Sequence, residues 1–259
     1  MGLADLHIHT NYSWDSTCTV PAILKYTAEF TNLNLIAITD HDQITGALEA
    51  VQRAPFYGVE VIPGIEITTA DGHLIALFVN EIIPAGMSLT KTVLKVGELG
   101  GLCIAPHPMA MWAGALSEKS IRGALKVPGV AEVLVGIEAY NAGLIYRRSN
   151  KRATALSREL PLASVGSSDS HMLITLGSGA TEFPGGSATD LRRALETRQT
   201  QVCINSDRTG LHILVNWAPR MMLRKAGWIA WNEHPSAPIR FSRMKRVLIS
   251  SQHYLASHS

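Results

Sequence analysis

Short apolar runs alternate with amphipathic, helix-like segments along most of this chain, and that alternation constrains the fold more than any other feature. "LADLHIH" reads as a strand and "VPAILKYTAEF" as a helix with Pro21 near its start; "NLIAITD" is again strand-like, and "QITGALEAVQR" has helical spacing. The pattern continues through "VEVIPGIEIT", "HLIALFV", "LTKTVLKVGEL", "GGLCIAP", "SIRGALK", "VLVGIEAYN", "RRSNKRATALSREL", "LASVGSSDSH" and "ATDLRRALETRQ". Repeated β–α units imply a largely parallel sheet. One connection departs from it: in "EITTADGHLIAL", Asp71-Gly72 between two β-like runs signals a hairpin. A chain of 259 residues, 46% apolar and only 17% charged, can bury one large core as an α/β barrel, or two ordinary domains. Near residue 205 the alternation stops and Arg, Trp and Pro become frequent, which divides the chain into a barrel over 1–205 and a C-terminal basic and aromatic appendage over 206–259.

The polar residues that interrupt this pattern fall at strand ends. His7 and His9, Asp40 and His41, Glu66, His107, Glu138, and Asp169 with His171 all stand at or just beyond an apolar run, and the carboxyl-terminal rim of an α/β barrel is where active sites form. In a strand, residues two apart share a face, so His7 and His9 aim their rings at one point. That suits a divalent metal; a pair of hydrogen-bonded core histidines is the bland alternative. Glu66 lies inside "VIPGIEIT", where a buried carboxylate needs a cation or several donors to stay ionised. His107 is held between two prolines in "APHPM", and "GSSDSH" repeats the two-residue spacing with Asp169 and His171. Asp40 and Asp42 flank His41 and could orient its ring, with a helix cap before "QITGALEA" the favoured role for Asp42. So many His and carboxylate groups exceed what one tetrahedral zinc ion uses and point to a multinuclear site for zinc, manganese or iron.

The motifs "DLHIHT", "ITDHD", "GIEIT", "HLIALF", "APHP", "IEAYN" and "GSSDSH", in this order over residues 3 to about 203, resemble the PHP domain family (polymerase and histidinol phosphatase). The resemblance implies a distorted seven-stranded (β/α) barrel of TIM-like type with three divalent ions on its rim. It places His7, His9, Glu66 and Asp169 on a first ion. Glu66 would bridge to a second ion, bound also by His73 and His107, and Asp15, His41 and His171 would hold the third. Three such cations lower the pKa of a bridging water, and the hydroxide so formed attacks phosphorus in line. The expected activity is hydrolysis of phosphomonoesters or nucleotide phosphoesters, with Asp40 and His171 as the nearest candidates for a catalytic acid. An exonuclease acting on short oligonucleotides is the nearest alternative. An amidohydrolase-type hydrolase is disfavoured because no lysine stands at a strand end, and a non-catalytic nucleic-acid-binding accessory would have to rely on the tail.

Beyond the metal ligands, Arg147 and Arg148 could grip a substrate phosphate, since guanidinium forks match phosphate geometry; a solvated helix face is the competing reading. Tyr12 and Trp14 could stack on a base or ring, or pack on the barrel. "GSGATEFPGGSATDL" reads as structural, with glycine turns and a cap from Ser187 or Thr189. A net charge of +2 is too small to argue for nucleic acid by itself. Three scattered cysteines, no signal-like start and no apolar run approaching the roughly 20 residues of a membrane span lead to the expectation of a cytoplasmic protein without a membrane partner.

Overall fold

The computed structural model describes residues 1–111, 114–143, 147–205 and 210–226. Among these residues, nine strands form one sheet in the order β7-β6-β5-β4-β3-β2-β1-β8-β9. They are β1 (Gly2–Asp5), β2 (Leu35–Ile38), β3 (Glu60–Thr69), β4 (Gly72–Leu77), β5 (Leu102–Ala105), β6 (Leu134–Asn141), β7 (Ala163–Ser167), β8 (Gly179–Phe183) and β9 (Gln201–Ile204). Helices α1 (Val20–Phe30), α2 (Thr45–Arg53), α3 (Leu89–Glu98), α4 (Glu118–Ala124), α5 (Arg147–Glu159) and α6 (Ala188–Glu196) alternate with them, and α7 (Gly210–Lys225) follows β9. Pairing is parallel for β1-β2-β3 and for β5-β6-β7. The Asp71-Gly72 hairpin forms as expected, and it makes β4 antiparallel to both β3 and β5.

The sheet curls until its far ends meet, giving a nearly closed, barrel-like α/β fold. Gly166 of β7 donates to the Thr181 hydroxyl of β8 at 3.1 Å, and Ile8 bridges Ser170 beyond β7. Two glycines permit this closure: a Cβ at Gly166 would land on the Ala180 carbonyl, and one at Gly179 on the Ser167 carbonyl. The segment read as glycine turns therefore contains β8, an antiparallel neighbour of β1, because those glycines serve close backbone approach. Ser187 does cap the following helix, in a reciprocal capping box with Asp190.

Alternation along each strand separates two cores. Leu35 and Ala37 face a barrel interior with Leu6, Ile62, Ile75, Ile104 and Val165, whereas Ile36 and Ile38 face the outer helices. Helix α6 contributes Leu191, Ala194 and Leu195 to the interior core. It sits at the amino ends of the strands, where Ala188 donates to Glu60 at the start of β3 and Arg192 donates to the Gly100 carbonyl ahead of β5. That end is plugged, which leaves the carboxyl end for chemistry.

Candidate metal centre

Every strand from β1 to β7 delivers a polar side chain to that open end. His7 and His9 follow β1, Asp40 and His41 follow β2, Glu66 lies in β3 and His73 in β4. His107 follows β5, Glu138 lies in β6, and Asp169 and His171 follow β7. Regular pairing of β1 stops at Asp5, but Thr39 and Ser170 continue it irregularly through Ile8 and His9, so both rings still face the same centre. His107 and Asp169 adopt left-handed backbone conformations, with φ of 28° and 51°. Such conformations are costly for residues with a Cβ and recur at functional sites.

Glu66 is the hub, and its two oxygens serve different partners. Oε1 lies 3.0 Å from His73 Nδ1 and 2.9 Å from His107 Nε2. Oε2 lies 3.1 Å from His7 Nε2 and 3.3 Å from both His9 Nε2 and His41 Nδ1. Asp169 Oδ1 stands 3.4 Å from the Nε2 atoms of His7 and His9. A separate carboxylate, Asp15 Oδ2, meets His171 Nε2 at 2.8 Å and His41 Nε2 at 3.2 Å. All nine residues named as metal ligands, namely His7, His9, Asp15, His41, Glu66, His73, His107, Asp169 and His171, thus converge in overlapping clusters with ligand-like spacing.

The outer nitrogens of three rings are tied down so that the inner ones face the centre. His7 Nδ1 donates to Glu138 Oε1 at 2.9 Å, and His171 Nδ1 donates to the Asp169 carbonyl at 2.9 Å. His9 Nδ1 lies 3.3 Å from Ser13 Oγ, which in turn donates to Asp15 Oδ1 at 2.7 Å. In each case Nε2 is the nitrogen left to face the centre, where it could bind a cation in exchange for a proton. His9 Nε2 is buried and makes no hydrogen bond despite its two carboxylate neighbours. A buried imidazole nitrogen aimed between two carboxylate oxygens fits a cation better than it fits a hydrogen-bonded core.

The electrostatics agree. Burial opposes charge throughout the centre, yet it is outweighed. His7 and His41 hold the Glu66 carboxyl well below the usual range, and His7 and His9 do the same for Asp169. Conversely, Asp169, Glu66 and Glu138 push His7 well up, and Asp169 and Glu66 push His9 up to about 10. Buried carboxylates in this number demand compensating positive charge.

Several other expected roles take a different form. Asp40 accepts from the Thr10 amide at 2.6 Å and the Thr10 hydroxyl at 2.7 Å, so it braces the loop after β1, and its burial raises its pKa. Asp42 does not cap α2, whose N-cap is Ile44 with no side-chain bond. Instead it accepts from the Thr68 amide at 2.7 Å, which fastens the β2 loop to β3. Arg147 and Arg148 open α5 on the carboxyl side of β6; Arg148 is exposed, and the side chain of Arg147 lies outside the described residues. In the tail, Trp217 of α7 donates to the Asp15 carbonyl at 3.1 Å, while Trp228, Trp231 and the basic residues from Arg240 onward lie outside the described residues.

Sequence reasoning placed Glu138 at a strand end but gave it no role. It is fully buried and accepts from His7 Nδ1, the His107 amide at 2.6 Å, Asn141 Nδ2 at 2.9 Å and the Ser167 hydroxyl. Asn141 also reaches Asp169 Oδ2 at 3.3 Å. The available signal was the likeness of "GIEAY" to "GIEIT": an acid inside an apolar strand needs partners wherever it occurs.

A plugged amino end and a buried His/Asp/Glu cluster on the carboxyl rim define a TIM-like α/β barrel with a candidate metal centre where barrel active sites form. Comparisons give the family. The PHP domain profile matches residues 5–156, and the profile of a PHP-associated region matches 147–200. An uncharacterized protein of Methanocaldococcus jannaschii is 44% identical over 126 residues, 45% of this chain and 73% of that protein. A second from the same organism is 28% identical over 184 residues, 69% of each. A crystal structure from Bacteroides vulgatus, described as a two-domain protein containing a predicted PHP-like metal-dependent phosphoesterase, superposes with a TM-score of 0.64 at 19% identity. That alignment covers 78% of this chain and 64% of the other, and at such identity it speaks for the fold alone. The chain belongs to the PHP domain family. No helix among the described residues is long and apolar enough to cross a membrane.

Proposed function

We propose that this chain hydrolyses phosphomonoesters or nucleotide phosphoesters at a site for three divalent ions, zinc, manganese or iron. The observation that carries the reading is the division of labour at Glu66. One of its oxygens faces His73 and His107, the other faces His7, His9 and His41, and Asp15 gathers His41 and His171 apart from both. Two donor sets joined by the Glu66 carboxylate, with a third gathered by Asp15, support three ions. When bound, such ions supply a water acidified to near-neutral pKa and positive charge against the phosphate oxygens.

The chain's own residues do the rest. Glu138, Ser13 and the Asp169 carbonyl fix the tautomers of His7, His9 and His171. Asp40 and Thr10 fix the loop that carries Asp15. Asp40 and His171 remain the proposed nearest candidates for supplying the leaving group's proton: the His171 ring lies between the Asp169 carbonyl and Asp15, and burial raises the Asp40 pKa. His41, His73 and His171 are partly exposed, whereas His7, His9, Glu66 and His107 are buried, so substrate approaches over the former three. A cavity of about 410 Å³ opens beside His73, between the β3–β4 hairpin and Ala110, Met111, Gly114 and Ala115, and its size suits a small organic group. Arg147 and Arg148 are the proposed grip on a substrate phosphate.

The test is to count metals by elemental mass spectrometry and to assay p-nitrophenyl phosphate, nucleoside bisphosphates, histidinol phosphate and a short RNA with added manganese. Three ions per chain, with turnover abolished in Asp169→Ala, is the expected result. A metal-replete protein that cleaves none of these esters would overturn the reading, and turnover rising with oligonucleotide length would favour an exonuclease.

A further inference from the structure

The loop after β1 places a large aromatic ring where nothing in the fold requires one. Trp14 precedes the candidate ligand Asp15, and its indole stacks on His41 with ring centroids 5.8 Å apart and an interplanar angle of 21°. Despite that contact it is 68% exposed, so the face turned away from His41 is open to solvent. Its neighbour Tyr12 differs: its hydroxyl donates to Glu49 at 2.9 Å, which ties that ring to α2. Leaving most of an indole in water forgoes the gain of burying one of the largest apolar side chains. Exposed single apolar residues are common enough to need no explanation in general. Here the position gives one: the ring lies against a side chain of the partly exposed trio over which substrate approaches, and it is held in orientation from its inner face.

We propose that Trp14 is a specificity-determining residue that receives the planar ring of the substrate, so that the preferred phosphoesters carry a nucleobase or comparable aromatic group. This rests on the phosphoesterase reading above. A phosphate seated at the centre beside His41 puts its ester group next to the indole, and an open aromatic face accepts any base without hydrogen-bond readout. The preference is therefore for a ring and not for a particular base. A pre-oriented platform also loses little side-chain freedom when it is covered, which makes stacking effective.

The test separates the ring from the phosphate. Non-hydrolysable phosphonate analogues of adenosine 5′-monophosphate and ribose 5-phosphate differ only by the base, and their binding to the metal-loaded full chain is compared by calorimetry. The base is expected to tighten binding about tenfold in the wild type. Trp14→Ala should erase that increment, and Trp14→Phe should restore most of it, with metal content measured alongside. An increment that survives in Trp14→Ala overturns the proposal. So does one that disappears only together with bound metal and is not rescued by Phe, since Trp14 would then act through His41. An increment that depends on Trp14 in a protein that hydrolyses no ester would uphold this inference and defeat the phosphoesterase reading.

Discussion

Replacing Glu138 by glutamine tests how far the centre depends on a residue that touches no substrate. The carboxylate accepts four hydrogen bonds, His7 Nδ1 and the Ser167 hydroxyl on one oxygen, the His107 amide and Asn141 Nδ2 on the other. An amide in its place has one acceptor oxygen and one NH2. Whichever way it turns, it faces a pair of donors with a donor, and the site is fully buried, so water cannot replace the lost partner. A buried donor left unsatisfied costs about 1–3 kcal/mol. Two of them give a destabilisation of about 2–6 kcal/mol, reduced toward the lower figure if the Ser167 hydroxyl rotates to accept. Against a typical domain stability of about 5–15 kcal/mol the loss is large. The His7 ring would also lose the anion that fixes its tautomer, and changes to such outer partners weaken metal binding about 10–100-fold. Chemical unfolding of chelator-treated protein reads the first quantity, and competition against a chelator of known affinity reads the second. Unfolding midpoints and metal affinity both within error of the wild type would refute the account of Glu138.

Further outcomes follow from the same geometry. Because Asp169 and Glu66 push His9 up to about 10, its stabilising contribution to the metal-free fold is complete below the ordinary imidazole value of 6.5 and is lost as pH rises through about 10. Melting temperatures of chelator-treated protein should fall over that window while apparent metal affinity rises, since proton and metal compete for the same nitrogens; an affinity independent of pH would contradict this. Trp217→Phe keeps the ring but removes the donor to the Asp15 carbonyl, a loss of about 1 kcal/mol or about fivefold in binding. Graded chelation should then strip one ion earlier than in the wild type, and superimposable stripping curves would assign α7 no such role. Gly46→Ala pits helix propensity, a gain of about 1 kcal/mol, against a Cβ that would strike Asp40 Oδ2 and Thr10 Oγ1. Overpacking of this kind costs about 1–3 kcal/mol, so unfolding at lower denaturant is expected, and a stabilised variant would show that the Asp40–Thr10 brace has slack.

What the sequence determined by itself was the order of elements and the chemistry at their ends. A 3.6-residue period alternating with short apolar runs can bury its faces in few ways, and His7, Glu66 or Asp169 at the end of such a run stands out because a polar group there needs a partner. Local signals also sufficed for the Asp71-Gly72 hairpin, and they narrowed the α6 cap to Ser187 or Thr189, of which the structure uses Ser187. Tertiary structure alone decided the rest. β8 was hidden because Gly179 and the glycines near it read as turn formers, and only the approach of two backbones shows why Gly179 and Gly166 lack a side chain. Asp40 and Asp42 both flank His41, and the cap expected of Asp42 gave no hint that one accepts from Thr10 and the other from Thr68, partners about 30 and 26 positions away. Glu138 gained its role from four donors on four different loops and strands, and Trp217 from a carbonyl 202 positions distant. Periodicity encodes which face a residue turns inward; it carries no record of which distant atom will be waiting there, because that is fixed by how the sheet curls and closes.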